Sequence, residues 1–86
     1  MSNKWEAIPA SQYPFLKDKV PTKRHWKGQK IYRDKKGNRY YHKDPLHGEI
    51  EVYDSFGNHI DVYTPEGYPH PTKGKVKGRD IKNEIK

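Results

Sequence analysis

Residues 44–51, DPLHGEIE, constrain the fold of this chain more than any other stretch, because they crowd three carboxylates and an imidazole into eight positions. Successive side chains of a β-strand point to opposite faces. A strand over residues 47–53 separates two sets of side chains: His47, Glu49, Glu51 and Tyr53 on one face, and Gly48, Ile50 and Val52 on the other. The pattern therefore predicts a sheet with one polar, chemically active face and one apolar face.

The stretches around this segment also favour β-structure. Short β-like runs over 30–34 and 39–43 flank a Gly-Asn turn at 35–38, and a further run over 59–63 follows a turn at 55–58. Pairing 47–53 with 59–63 predicts a core of Ile50, Val52, Ile60 and Val62. It predicts an opposite face of His47, Glu49, Glu51, Tyr53, His59 and Asp61. We expect a mainly β fold: a small, highly twisted antiparallel sheet with meander connections.

Residues 1–29 lack a sustained period and carry Pro9, Pro14 and Pro21. We expect an irregular or partly helical N-terminal arm or linker there, with a helical turn near residues 4–7. Its aromatic residues are expected to pack onto the sheet: Trp5, Tyr13, Phe15 and Trp26. The chain then divides into this segment and a domain over 30–86 that ends in a basic tail.

Composition limits the size of the core. Leu, Ile, Val and Phe make up only 14 of 86 residues, and such a low apolar content favours disorder. Seven Tyr and two Trp partly offset the low apolar content, because aromatic side chains bury a large area each. The chain has no cysteine, so a disulfide framework or thiolate metal site is excluded. No apolar run approaches the length of a membrane span, and no signal-peptide pattern opens the chain.

The net charge of +7 is unevenly distributed. Residues 1–29 and 69–86 each carry +4, whereas residues 30–68 carry −1 and hold the acidic cluster. Basic flanks favour a polyanionic partner through phosphate contacts, although a merely solvated surface gives the same composition. The residues expected to contact RNA are one aromatic ring and four basic side chains: Tyr41, Lys73, Lys75, Lys77 and Lys82.

The acidic segment holds the groups needed to cleave RNA through its own 2′-hydroxyl. That reaction needs a base, an acid and a cation that stabilises the phosphorane. Either glutamate of the segment is a candidate base, His47 the acid, and Arg79 or a lysine the cation. Asp44 would orient His47 or hold it protonated. Crowded carboxylates are expected to raise one another's pKa, and the chemistry requires neither metal nor cofactor.

Other interpretations remain open at this point. The segment is also consistent with the solvent-facing side of a half-exposed strand. A zinc or manganese site is a further option, built from His47, Glu49, His59 and Asp61, but no recognised ligand spacing supports it. Two other functions are also open. The chain is either a non-catalytic module that binds ribosomal RNA or the ribosome, with an incidental acidic strand, or an RNA-binding arm without a defined fold.

Several blocks together resemble a known family. They are a Lys-Gly turn at 36–37, a Tyr-x-x-Asp-x-x-His-Gly-Glu-x-Glu core at 41–51 with a tyrosine at 53, and later blocks at 57–60, 65–67 and 79–82. In this order they resemble the cytotoxic ribonuclease domain of the ribosome-inactivating colicins and cloacin. The resemblance covers roughly residues 35–86 and leaves the first thirty unexplained. Pro45 and Leu46 depart from the polar residues of the family.

The resemblance implies a twisted antiparallel sheet and a toxin that cuts 16S ribosomal RNA of the small (30S) subunit once, in the decoding centre. The resemblance places the catalytic positions of the family on Asp44, His47, Glu51 and Arg79, with Glu51 as base and His47 as acid; the intervening glutamate of the family falls on Glu49. It also implies a small acidic immunity protein as partner. Such a toxin is secreted or delivered from a producer cell and acts in the cytoplasm of the target bacterium.

Overall fold

The structure, a computed structural model, describes residues 3–85. One antiparallel sheet contains five strands, each paired with the next along the chain. The strands are β1 (Val20–Trp26), β2 (Gln29–Arg33), β3 (Arg39–Asp44), β4 (Glu49–Asp54) and β5 (His59–Tyr63). Short 3₁₀ segments precede them at Lys4–Glu6, Ala10–Gln12 and Pro14–Asp18. The predicted fold class, a mainly β protein with an antiparallel sheet, is confirmed.

Within the described residues, no helix has both the length and the apolar character that a membrane crossing requires.

Strand β1 was not predicted, because it lies inside the segment expected to be irregular. It is an edge strand that pairs only with β2, and most of its residues are exposed. An edge strand needs no apolar alternation and tolerates Pro21, whose missing N–H can face away from the sheet. The boundary expected between residues 29 and 30 therefore falls at the tip of the β1–β2 hairpin.

His47 lies in a turn and not in a strand, so that part of the prediction is wrong. Strand β4 begins at Glu49, and the backbone N–H of Gly48 donates to the Asp44 carbonyl at 2.8 Å to close the turn. Pro45 favours a turn after Asp44, and Gly48 adopts a φ of +64°, which suits glycine. The turn aims the imidazole independently of the strand pleat.

The two faces of the sheet differ as predicted for β4. Ile50 and Val52 are fully buried in an apolar cluster with Tyr13, Leu16, Tyr32 and Tyr41. Glu51 pairs with His42 of β3 and Tyr53 pairs with Tyr40, so these side chains share the opposite face. We call this second surface the ionic face; its members are His42, Glu49, Glu51, Tyr53 and His59.

A β-bulge between β4 and β5 corrects the predicted face of Val62. His59 pairs with Tyr53, and Val62 pairs with Glu51. Between these two pairs β5 advances by three residues and β4 by two. The extra residue reverses the alternation. Ile60 packs against the apolar cluster as expected, but Val62 lies opposite Glu51 on the ionic face.

Residues 3–18, here called the N-terminal cover, lie across the apolar face. Tyr13 and Leu16 are fully buried in its cluster, and Trp5 and Phe15 pack at its margin. Burial of each large apolar side chain contributes roughly 1.5–3 kcal/mol. The prediction that the aromatic residues of this segment pack onto the sheet is confirmed.

The tail returns to the sheet after residue 69. Ile81 is fully buried beside Ile31 and Tyr53, and its backbone N–H donates to the Gly57 carbonyl at 2.9 Å. The His59 backbone N–H donates to the Arg79 carbonyl at 3.1 Å. These contacts bring Arg79 to the ionic face from 28 residues beyond Glu51.

Candidate active site

The candidate catalytic residues come from four parts of the chain and meet on the ionic face. Asp44 ends β3, His47 lies in the following turn, Glu51 lies in β4 and Arg79 comes from the tail. Two cavities border them. One, of about 320 Å³, is lined by His47, Glu51 and Arg79 together with Lys73 and Lys75. The other, of about 250 Å³, lies on the Asp44 side of Glu51.

Asp44 organises the turn that presents His47. One carboxylate oxygen accepts the backbone N–H groups of Leu46 at 3.0 Å and His47 at 3.3 Å. The other accepts from His47 Nδ1 at 2.7 Å. Burial raises the pKa of Asp44, but the hydrogen bonds and positive charge of His47 and the backbone donors outweigh it and hold the pKa below its usual value. Because Nδ1 is bonded to Asp44, His47 presents Nε2 outward, and its side chain is half exposed.

Glu51 is a nearly buried carboxylate with two cationic or polar donors. Its Oε1 accepts from His59 Nε2 at 2.9 Å and from Arg79 at 2.6 Å. Burial raises the pKa of Glu51, yet the hydrogen bond from His59 and the charge of Arg79 overcome it and lower the pKa. The expectation of a raised pKa is therefore wrong for Glu51, since its closest partners are donors and not carboxylates. Glu51 is ionised at neutral pH.

The second oxygen of Glu51 is left for another partner. Among the described residues, Oε2 accepts no hydrogen bond, yet these residues contain no buried side-chain oxygen without a partner. Oε2 therefore reaches solvent. An ionised oxygen held in place by its neighbour and open toward a cavity is suited to accept a proton.

His59 was placed on the correct face from the sequence, but its contact with Glu51 was not predicted. Its Nδ1 accepts the Val76 backbone N–H at 2.9 Å, so the ring proton lies on Nε2 and points to Glu51. His59 thus orients Glu51 through the Nε2 proton. The strand alternation could place His59 near Glu51, but the tail contact that selects its tautomer has no local sequence signal.

His42 and Tyr53 form the floor of the ionic face. His42 Nδ1 donates to the Lys43 carbonyl at 3.0 Å, and Nε2 accepts from the Tyr53 hydroxyl at 2.8 Å. Burial lowers the pKa of His42 despite the nearby carboxylates, so the ring is neutral, while burial raises the pKa of Tyr53. The pair is a satisfied buried unit beneath Glu51.

Glu49 pairs with two residues of the tail. Its carboxylate accepts from His70 Nε2 at 3.0 Å and from Lys73 at 2.9 Å. His70 Nδ1 accepts the backbone N–H groups of Thr72 and Lys73, so Nε2 carries the proton. Of the two candidate bases, the geometry favours Glu51, because both oxygens of Glu49 already bind donors.

The residues expected to contact RNA are placed differently from one another. Tyr41 is buried in the apolar cluster, with its hydroxyl donating to Asp34 at 2.9 Å, so its ring cannot stack on a base and the prediction is wrong there. Lys73 binds Glu49. Lys75, Lys77 and Lys82 are exposed and line a groove of about 310 Å³ beside His59 and Arg79.

Metal-ligating atoms also occur together. Donor atoms of Asp44, His47 and Glu49 all lie within 4.8 Å of one another. His59, a member of the set considered from sequence, binds Glu51 instead. A divalent ion at the former three would compete with the Asp44–His47 hydrogen bond and with the cations that already neutralise Glu49.

The N-terminal cover contacts the turn that holds His47. Asn3 Nδ2 donates to the His47 carbonyl at 3.0 Å, and the buried Lys43 ammonium donates to the Glu6 and Ile8 carbonyls at 2.8 and 2.7 Å. A Cβ atom at Gly48 would overlap the Asn3 side chain and lie 2.9 Å from the Glu6 nitrogen. The turn and the cover are therefore in direct backbone contact.

A comparison with models of known protein families and with curated proteins finds no match to this chain.

Proposed function

We propose that this chain is an endoribonuclease that cleaves RNA by metal-independent attack of the 2′-hydroxyl on the adjacent phosphodiester. The observation that carries the proposal is the arrangement around one cavity: an ionised Glu51, an Arg79 guanidinium and an outward-facing His47 all line it. These are a base, a cation and an acid, and each is held by its own partner. The proposal extends the resemblance described above from sequence blocks to their spatial arrangement.

The proposed reaction uses each group once. Glu51 Oε2 takes the proton of the 2′-hydroxyl, and the 2′ oxygen forms a bond to phosphorus. Arg79, aided by Lys75, stabilises the negative charge of the phosphorane. His47 in its protonated form, oriented by the Asp44 carboxylate at Nδ1, gives its Nε2 proton to the departing 5′ oxygen as the P–O5′ bond breaks. The products are a 2′,3′-cyclic phosphate and a free 5′-hydroxyl.

We further propose that the target is 16S ribosomal RNA in the decoding centre of the small subunit, within the cytoplasm of a susceptible bacterium. This follows from the resemblance, whose catalytic positions are the residues gathered here. The net charge of +7 suits both a polyanionic substrate and a small acidic immunity protein that neutralises the toxin. The same charge would equally serve a non-catalytic ribosome-binding module, which the experiment below separates.

The test is incubation of the purified chain with intact bacterial ribosomes in EDTA, followed by primer extension along the small-subunit RNA. We expect one new stop in the decoding centre, absent with His47→Ala. His25→Ala is the matched control, because His25 is exposed on β1 and lines neither cavity. Folded wild-type chain that binds ribosomes but leaves the RNA intact would favour the binding module. Cleavage that occurs only without EDTA would point to a metal at Asp44, His47 and Glu49.

A further inference from the structure

The hairpin between β1 and β2 reaches over the ionic face with a rigid tip. Lys27 and Gly28 form a two-residue connection with φ values of +47° and +82°, the signs of a type I′ turn. Trp26 and Gln29 flank it as directly paired residues. The strand twist and tight turn fix these two side chains next to each other.

The cavity of about 250 Å³ on the Asp44 side of Glu51 opens under this tip. Trp26, Lys27 and Gln29 line one side, and Asp44, Glu51 and Arg79 line the other. Its volume lies below the roughly 300–1,000 Å³ typical of small-ligand pockets, which suits one ring system and not a whole nucleotide. A group bound there would touch the residues assigned to the reaction.

The polar groups of the tip are unused. Among the described residues, neither the Gln29 amide nor the Trp26 indole N–H forms a hydrogen bond, and no buried side-chain nitrogen or oxygen in this part of the chain lacks a partner. Both groups therefore reach solvent. An amide that can donate and accept, beside an aromatic ring, is typical of a site that orients a flat polar ligand.

The Trp26 ring contacts His42 of the ionic face and its own neighbour Lys27. Its inner face stacks on His42, with ring centroids 5.0 Å apart and planes 19° apart. The Lys27 ammonium lies 4.6 Å from the ring centre. Lys27 is exposed and has no ion-pair partner among the described residues, so a ligand can displace it from the ring at little cost.

We infer that this cavity is a nucleobase subsite, which takes the base next to the phosphodiester held by Glu51 and Arg79. The inference rests on the proposed function and assigns substrate recognition to a part of the chain outside the resemblance. The base stacks against Trp26, Lys27 moves toward the backbone phosphate, and the Gln29 amide pairs with the base edge. Adenine fits best, since its N6 and N7 match one acceptor and one donor of an amide.

The binding arm uses NMR of the indole N–H signals, which Trp5→Phe assigns to Trp5 and Trp26. We expect adenosine 5′-monophosphate to shift the Trp26 signal saturably, with no change at Trp5. Ribose 5-phosphate, which lacks the base, should leave the Trp26 signal in place. Equal shifts with both compounds, or no shift at Trp26, would overturn the subsite.

The cleavage arm compares Gln29→Met with Gln12→Met. Gln29→Met keeps the side-chain length but removes the hydrogen bonds, and we expect kcat/KM on adenine-containing oligonucleotides to fall about tenfold while other bases change less. Gln12 is exposed in the N-terminal cover, so Gln12→Met should match wild type. Trp26→Ala should lower kcat/KM by a further tenfold or so with the Trp5 signal unchanged, since base stacking on an aromatic ring is worth roughly 1–3 kcal/mol.

The two proposals fail in different ways. If wild type cleaves RNA and both Gln29→Met and Trp26→Ala cleave equally well at every base, the subsite is wrong and the ribonuclease stands. If wild type cleaves no RNA, the ribonuclease proposal is wrong, and the NMR titration alone decides whether the cavity binds a base.

Discussion

The two faces of strand β4 differ in character: one is part of the apolar core, and the other carries ionic and polar side chains. Ile50 and Val52 point into an apolar cluster closed by the N-terminal cover. Glu51 and Tyr53, their neighbours in the chain, point to a face of paired charges and neutral imidazoles bordered by cavities. The comparison teaches that stability and chemistry are separated here by the pleat of one strand and not by distance.

The ionic face is buried without isolated charges. Glu51 is balanced by Arg79, burial keeps the His42 ring neutral, and both ring nitrogens of His59 have fixed partners. The Glu51–Arg79 pair contributes little net stability as a pair, and Arg79, whose side chain is 41% exposed, can be hydrated when Glu51 is replaced. We therefore expect this face to govern activity far more than the free energy of unfolding.

The largest expected effects come from the adjacent substitutions Glu51→Gln and Ile50→Ala. Glu51→Gln keeps the shape and one acceptor but removes the base, so the cleavage rate should fall about 10²–10⁴-fold. Ile50→Ala should lower the free energy of unfolding by about 2–5 kcal/mol while folded molecules keep their rate. Urea denaturation and single-turnover cleavage measure the two. If both variants lost mainly stability, the division between the faces would not hold.

Much of this arrangement follows from local pattern. The period of two over residues 49–53 was sufficient to assign the faces, because a one-residue slip would move Ile50 to the ionic face and Glu51 into the apolar cluster. Asp44, His47 and Glu51 were identified because acidic residues and an imidazole at this spacing are rare in a basic chain. The residues alone offered Arg79 or a lysine as the cation, and the resemblance singled out Arg79, since its position depends on how the tail docks.

The misses have physical causes. The bulge adds Ile60 to β5, and nothing in the residue composition indicates it. Val62 therefore lies on the ionic face and not on the predicted apolar face. Tyr41 satisfies both a stacking and a core interpretation, and only the tertiary contact with Asp34 decides between them. His59 binds Glu51, and His70 binds Glu49. These contacts depend on hydrogen bonds between the tail and residues far away along the chain. Such contacts have no short-range pattern.

An intermediate effect tests whether the apolar side supports the chemical side. Gly48→Ala and Gly37→Ala both place a side chain at positive φ, but a Cβ at Gly37 meets nothing within 4 Å, whereas one at Gly48 collides with the N-terminal cover. Gly48→Ala should lose about 1–3 kcal/mol more stability than Gly37→Ala, the usual cost of overpacking. Only Gly48→Ala should also reduce kcat, because the displaced cover no longer holds the His47 carbonyl. Equal kcat values for the two variants would show that the faces are uncoupled.

The smallest effect is a difference in acid sensitivity between the faces. Burial holds the pKa of His42 below its ordinary value of 6.5, although Glu51 and Asp44 favour its protonation. As pH falls below 6.5 the unfolded chain gains this proton first, so the free energy of unfolding decreases toward the folded pKa. His42→Gln should flatten the pH dependence of stability between neutral pH and pH 5, because its amide can replace both hydrogen bonds without titrating. His25→Gln, on an exposed position of β1, should leave the slope at its wild-type value. Denaturation curves at several pH values measure the slopes, and identical slopes for the two variants would remove His42 as the acid-sensitive group of the ionic face.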